Sequence, residues 1–519
     1  MSGYKQGTDR RQIGLYSLED MISEKAMVRV IDRYVEVTDL QALGFTNTQP
    51  AHTGRPAYPP KSLTKLFVYG YHDHLRSSRK LERETYRNIE VMWLMNSLTP
   101  DHKTISDFRK NNTRPLQKLF RKFVQFCNQW GLIGGELVAV DGSKFKASNN
   151  KKNNYSRKKI EARLVAIDEK INNYLAELES QDAKDNAEAS NAADTSEATV
   201  SPEKVELQAE LEALQSRKKQ YDNYKKQLDE TGENELSAVD PDARLMGNNR
   251  GGVEVSYNVQ SAVDAKHNIL IDYDVSTNPS DQHQLGNMVK KVKRTLRVKR
   301  FTALADKGYY NGKDLLRVKK LKVTAIIARQ KPNDSKSIHK NYHTENFHYD
   351  ESTNTYTCPQ GHTLITRNNK TAQRWKYSNK QACKDCLHKQ ECITGKAKFR
   401  TVTRSSYSKI YEQTDKLFSE NKDLYKRRQE IVEHPFGTIK HTMNGGYFLL
   451  RTRRKVRAEV ALLFLGYNLK RAVNVLGFDV IMARLDAVSC KSRSIFVFFL
   501  HRLQLVLCDV TNRTSMIGA

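Results

Sequence analysis

No stretch of this chain is apolar for long enough to cross a bilayer. The longest such run near the C-terminus, residues 495–500, is stopped by His501 and Arg502 and falls far short of the ~20 residues a spanning helix needs. Residues 1–14 are polar and charged, which is not the pattern of a secretory signal. Cysteine is scarce, with seven in 519 residues. Without an export signal, so few thiols argue against a disulfide framework and for a reducing, cytoplasmic compartment. Acidic residues are also in deficit: 59 against 87 basic ones leave a formal charge of +28. Solubility needs far less, so the expected partner is a polyanion, with nucleic acid ahead of any membrane.

The length allows several modules, and the periodicities divide the chain. Residues 1–132 read as helical. Pro59 and Pro60 fit the first turn of a helix that carries Leu63, Leu66, Phe67 and Val68 at helical spacing. A second helix follows Ser77 and Ser78 through Leu81, Tyr86 and Trp93, and a third starts at Asp101 and runs through Phe108 and Arg109. Arg76, Arg79, Lys80, Arg83 and Arg87 on exposed faces suit either a helix-turn-helix-like DNA reader or a solvated basic surface. In residues 151–245 the apolar positions Ile160, Leu164, Ile167 and Ile171, then Leu207, Leu211 and Leu214, alternate spacings of four and three. They predict an inserted antiparallel helical hairpin serving structure or subunit contact. Residues 182–199 have almost nothing to bury and are expected to be a disordered tip, with Ser201 and Pro202 starting the second helix.

From Gly251 the period becomes two. Val253, Val255, Tyr257 and Val259, then Ile269, Ile271, Tyr273 and Val275, predict two strands joined by a turn at 264–268. Asp281 is expected to cap a helix through Leu285, Met288 and Val292. Residues 301–305 and 322–328 read as further strands. Strand, hairpin, helix, strand is the order of a ribonuclease H-like α/β core, assigned to residues 133–150 and 246–335 and completed by 406–476. In that order Asp141 ends the first strand and Asp306 the fourth, so both carboxylates meet at one end of the sheet. Glu433, in a basic helix, adds a third. Hard oxygen ligands of this kind select Mg²⁺ or Mn²⁺, and two such ions serve phosphoryl transfer on nucleic acid. Asp141 is the better choice for a bridging ligand, an assignment the sequence leaves open.

A second metal signal lies in residues 336–405. Cys358, Cys383, Cys386 and Cys392 include one C-x₂-C pair, and a turn at Pro359–Gly361 follows the first thiol. This spacing suits a structural Zn²⁺ in a zinc-ribbon-like subdomain, with His362 an alternative ligand. Cys127, Cys490 and Cys508 are isolated and read as inert.

Motifs in several separated places carry a family resemblance: GRPAYPP at 54–60, PDHKTISDFR at 100–109, VDGS at 140–143, DPDAR at 240–244 with YNVQ at 257–260, ADKGY at 305–309, and EHPFGTIK at 433–440. The chain resembles bacterial insertion-sequence transposases of the DDE type over about residues 20–475. The resemblance implies that Asp141, Asp306 and Glu433 form the triad holding two Mg²⁺ or Mn²⁺ ions. It also implies that residues 1–132 help recognise the element's ends, and that the working form is a homo-multimer bridging two ends. Family members surround the glutamate with a tyrosine, an arginine and a lysine at set spacing. Here Lys440 keeps its place, while Tyr425 and Arg428 lie one residue too far upstream. Lys440 falls on nearly the same helical face as Glu433 if the helix continues past Pro435.

Candidate DNA contacts are Arg79, Arg83, Lys307, Tyr309, Arg428 and Lys440, joined by Arg453 and Arg454 from the basic run before an apolar helix at 460–471. Residues 477–519 form a tail of unassigned role. The expected function is cleavage of DNA at terminal inverted repeats and joining to target DNA, in the cytoplasm and on the nucleoid. The alternative is a catalytically inactive, element-derived DNA-binding regulator.

Overall fold

The computed structural model describes residues 16–49, 56–189, 202–247, 251–329, 338–366 and 374–488. The expected tip at 190–199, its cap at Ser201 and the tail beyond 488 lie outside the described residues. Five strands make the main sheet with one short companion: β1 (Leu137–Lys146), β2 (Val253–Asp264), β3 (Leu270–Ser276), β4 (Thr302–Ala305) and β5 (Thr324–Ile327). β2 pairs antiparallel with β1 on one edge and with β3 on the other, where Arg244–Gly247 also lies against its start. β4 and β5 extend the sheet from β1 in parallel.

Register decides where the acidic residues stand. β1 and β4 pair from Leu137 with Thr302 up to Val140 with Ala305, and there the parallel ladder stops. Asp141 is the next residue of β1, opposite Ser261 of β2, and Asp306 is the next residue after β4. Asp141 therefore does not end its strand, as its sequence context suggests. β1 runs on to Lys146 because β2 offers partners as far as Ser256.

The N-terminal region is a helical bundle: α1 (Met27–Glu36), α2 (Pro60–His72), α3 (Ser78–Glu84), α4 (Ile89–Met95), α5 (His102–Asn111) and α6 (Thr113–Gln129). Pro60 opens α2 at its first turn, and Asp101 accepts the Thr104 N–H at the start of α5, 2.7 Å away, satisfying one of the orphan donors of a helix end. The long inserted helices α7 (Arg157–Ala189) and α8 (Pro202–Thr231) run antiparallel. Arg157 pairs with Asp229 at the root, and Lys218 with Asp168 further out at 2.6 Å. α7 continues helically to Ala189, which corrects the expectation of disorder from residue 182. Next come α9 (Leu285–Leu296), α10 (Gly312–Lys320), α11 (Ser408–Glu420), α12 (Lys422–Gly437) and α13 (Arg453–Leu476).

α13 binds bundle and sheet into one core. It is apolar and buried on all sides from Val460 to Leu465, as a helix must be when partners cover every face. Phe464 of α13, Phe120 of α6 and Tyr273 of β3 meet edge to face at 5.4–6.2 Å. Gly466 faces α2 across this junction, where a Cβ would meet the His72 backbone at 3.4 Å, an ordinary contact, and the Met443 Cε more tightly at 3.0 Å. Each large side chain buried at this junction contributes ~1.5–3 kcal/mol.

The same junction buries charge. Glu459 of α13 is fully enclosed and accepts the Leu449 and Leu450 N–H groups at 3.0–3.1 Å. Arg76 lies 3.4 Å from it, stacks over Tyr447 at 4.4 Å and donates to the Tyr447 carbonyl at 2.7 Å. Arg76 is thus part of the interior and not of an exposed basic face, because this carboxylate and ring offer it a better place than water does.

Residues 348–405 carry a second sheet of five short antiparallel strands in consecutive order, from His348–Asp350 to Thr401–Ser405. Its small separate core is Phe347, Tyr356, Leu364, Tyr377 and Val402.

Candidate active site

Asp141 and Asp306 stand where β1 outruns β4. Burial pushes the Asp141 carboxyl up to about 6; Arg428 and the Gly142 N–H work against that rise, while Asp281 and Asp306 add to it. The Arg428 guanidinium lies 3.7 Å from Asp141, with 26% of the Asp141 side chain exposed. Tyr425 flanks Arg428, whose guanidinium is 5.9 Å from its ring centre. Burial raises the Tyr425 hydroxyl, with Arg428 opposing and Asp306 adding to the rise. The two side chains whose sequence spacing is one residue too long are therefore the ones α12 turns toward the aspartates.

Glu433 is not brought to that pair. It lies five residues after Arg428, about 140° round the helix, and is exposed. Its carboxylate accepts from Gln429 Nε2 at 2.7 Å, while Ile431, Val432, Pro435 and Phe436 of the same helix are buried. The helix does continue past Pro435, but Thr438–Thr442 widens into a π turn. That widening, a device often seen at functional sites, changes the face on which later residues fall. Lys440 consequently departs from the Glu433 face and reaches β1, donating to Ser143 Oγ at 2.6 Å and to the Lys144 carbonyl at 2.9 Å. Burial pulls its ammonium down, with Asp141 opposing.

Successive side chains of a strand point to opposite faces. Asp141 and Ser143 share the α12 face, and Gly142 and Lys144 face the other way, onto Asn258 and Gln260 of β2. Asp281 lies there. It is not the cap of α9, which starts at Leu285 with no side-chain cap. Its Oδ1 instead accepts from Gln260 Nε2 at 2.7 Å and Asn258 Nδ2 at 2.8 Å. The Tyr309 hydroxyl donates to Gln260 Oε1. Tyr309 is fully buried, so it supports the site from inside and cannot be the DNA contact its motif suggests. This network leaves no mark in the alternation of β2, where Asn258 and Gln260 hold ordinary polar positions, yet the fold encloses both completely.

Arg79, Arg83, Lys307 and Arg454 are exposed and available to a ligand. Arg453 is also tied to β3, its Nε donating to the Val275 carbonyl at 2.7 Å and its Nη2 lying 3.9 Å from Asp274, with 43% of its side chain still exposed.

Cys358, Cys383, Cys386 and Cys392 line one pocket, together with His362. All four thiols are free. Gly361, at φ +80°, closes the turn after Cys358, whose N–H donates to the His362 carbonyl at 2.9 Å. Burial pushes the Cys392 thiol up to about 11; Arg400 opposes this and the other three thiols add to it. Among the described residues no three His, Cys, Asp or Glu side chains stand in metal-ligating geometry, and no helix is long and apolar enough to cross a membrane.

Two families match the chain. One, described as Transposase domain (DUF772), matches residues 16–111, and the other, Transposase DDE domain, matches residues 231–469. Together they span about two thirds of the sequence, with Asp306 and Glu433 inside the second and Asp141 outside both. No curated relative matches. Among solved structures, a piggyBac transposase synaptic complex with hairpin DNA aligns over 89% of this chain and 77% of that one, at 9% identity and a TM-score of 0.28, a likeness too loose to carry argument.

Proposed function

This chain belongs to the DDE transposases, and from that membership we propose that it cuts DNA at the terminal inverted repeats of its element and joins the freed ends to target DNA. The observation that carries the reading is the placing of Asp141 and Asp306 side by side beyond the β1–β4 ladder, with Arg428 and Lys440 next to them. Asp141 and Asp306 would hold two Mg²⁺ or Mn²⁺ ions. The donor set fits, since these are hard carboxylate oxygens in a half-buried site where crowding makes unneutralised negative charge costly. When bound, such ions supply the charge that activates the attacking oxygen and stabilises the leaving one.

The chain's own groups hold the substrate. Arg428 binds a phosphate oxygen beside Asp141, and its planar fork suits that task. Lys440, anchored on Ser143, holds the neighbouring phosphate. Lys307, Arg79, Arg83 and Arg454 extend the positive surface along the DNA. Glu433 serves as the third ligand only when α12 turns it toward β1, a movement for DNA docking to drive. Cys358, Cys383, Cys386 and Cys392 would bind one structural Zn²⁺, soft thiolates being the donors that select it. Two element ends must be held at once, so the working form is a multimer of this chain, acting on the nucleoid in the cytoplasm.

The test is Mg²⁺-dependent cleavage of labelled DNA carrying the element's flanking repeats, beside a scrambled-end control. Cutting at the repeat boundary by the wild type, and none by D141N, supports the reading. Tight repeat-specific binding without cutting in Mg²⁺ or Mn²⁺ overturns it in favour of the regulator.

A further inference from the structure

We infer that Asp281 is a positioning residue that sets the separation of Asp141 and Asp306 from beneath β1, through Gly142, Gln260 and Tyr309. The inference rests on the proposed role of the two aspartates. Asp281 lies in the loop before α9, on the face of the sheet opposite the Asp141 side chain. It packs against the chain just downstream of each aspartate. An added Cβ on Gly142, the residue after Asp141, would stand 2.3 Å from Asp281 Oδ1 and 2.3 Å from Gln260 Nε2. No side chain fits there, so the β1 backbone rests directly on the carboxylate. On the other side, a Cβ on Gly308, two residues after Asp306, would lie 3.6 Å from Asp281 Oδ2. Tyr309, the next residue, is joined to Asp281 through Gln260.

The loop that carries Asp281 is itself fastened to the sheet. Lys144 Nζ donates to the Pro279 carbonyl at 2.7 Å and lies 4.0 Å from Asp281, and Asn258 Nδ2 reaches the Asn278 carbonyl at 3.3 Å. Residues that orient metal ligands without binding the ion govern affinity and rate through geometry. Asp281 does so as an acceptor of two amide N–H groups, a part that an asparagine's carbonyl oxygen can also play.

That chemistry separates a positioning role from a ligand role. D281A removes the acceptor, and G142A pushes on the same contact without altering the carboxylate. Both should cut repeat DNA about 10–100-fold more slowly while binding it with unchanged affinity. Mn²⁺ affinity, read by electron paramagnetic resonance without DNA, should fall by a similar factor in both. D281N should recover cleavage to within about five-fold and restore Mn²⁺ affinity, because the amide acceptor returns. If D281N is as inert as D141N, the charge and not the contact matters and the inference fails. Wild-type rates and Mn²⁺ affinity in D281A would also overturn it. D141N in parallel keeps the two readings apart: if D141N cuts normally, the assignment of the aspartates has failed, whatever the Asp281 variants do.

Discussion

Asp141→Asn should make the protein more stable while abolishing cleavage. The Asp141 carboxyl sits at about 6 in the folded protein against an ordinary value of 3.8. Folded Asp141 therefore keeps a proton that the unfolded chain has already released, and holding it ionised costs stability. A rise of about two pKa units is worth ~3 kcal/mol at most. A quarter of the side chain reaches solvent, which trims this to ~1–2 kcal/mol. The cost is present in full above about pH 6, shrinks through the window between about 6 and about 4, and is absent below it. D141N should accordingly melt roughly 1–2 °C higher than wild type at pH 7.5, with the gap closing toward pH 4. Mg²⁺ or Mn²⁺ should raise the wild-type melting point and narrow the gap at neutral pH, and leave D141N unmoved. Differential scanning calorimetry across pH reads all three effects. A D141N protein that melts at or below the wild type at pH 7.5 refutes the reasoning, since Asp141 would then be a stabilising partner of Arg428 and not a strained ligand.

R428A removes the cation beside Asp141, so the carboxyl should rise further and the acid limb of the cleavage pH profile should move to higher pH, with the rate down about 10-fold or more. An unmoved limb counts against the pairing. E459A leaves Arg76 and two backbone N–H groups buried without their carboxylate and should cost ~3–5 kcal/mol in denaturant unfolding; a loss below ~1 kcal/mol would mean water takes its place. C386S should abolish a stoichiometric Zn²⁺ content measured by mass spectrometry, and should open residues 338–405 to protease, because five buried residues make too small a core to stand unaided. Equal protease resistance with and without chelator refutes the structural role.

What could be read from the sequence was whatever lies in periodicity. β2 and β3 announce themselves by alternation of Val255, Tyr257 and Val259 against Ile271, Tyr273 and Val275, and α9 by Leu285, Met288 and Val292. Local chemistry misled where a distant partner won. Asp281 has the look of a helix cap, yet two amides of β2 claim its oxygen. Arg76 has the look of a surface cation, yet Glu459, 383 residues away, draws it inside. Tyr309 carries a recognisable motif whose hydroxyl turns out to serve Gln260. The offset of Tyr425 and Arg428 could not be judged from spacing, because their direction depends on how α12 rolls against β1. The π turn that carries Lys440 away from the Glu433 face leaves no mark in a pattern counted at 3.6 residues per turn.

α13 is the inner wall of both the helical bundle and the sheet, and this governs how such a protein changes partners over its history. A reader tethered by a flexible linker can be traded whole between lineages. Here a hybrid that imported residues 16–132 would have to remake Phe120 against Tyr273 and Phe464, His72 against Gly466, and Arg76 against Glu459 all together. On the proposed reading, in which Arg79 and Arg83 of α3 lie along the DNA, new preferences would arise by substitutions on the outward surface of that helix, one residue at a time, while the seam beneath it stays as it is.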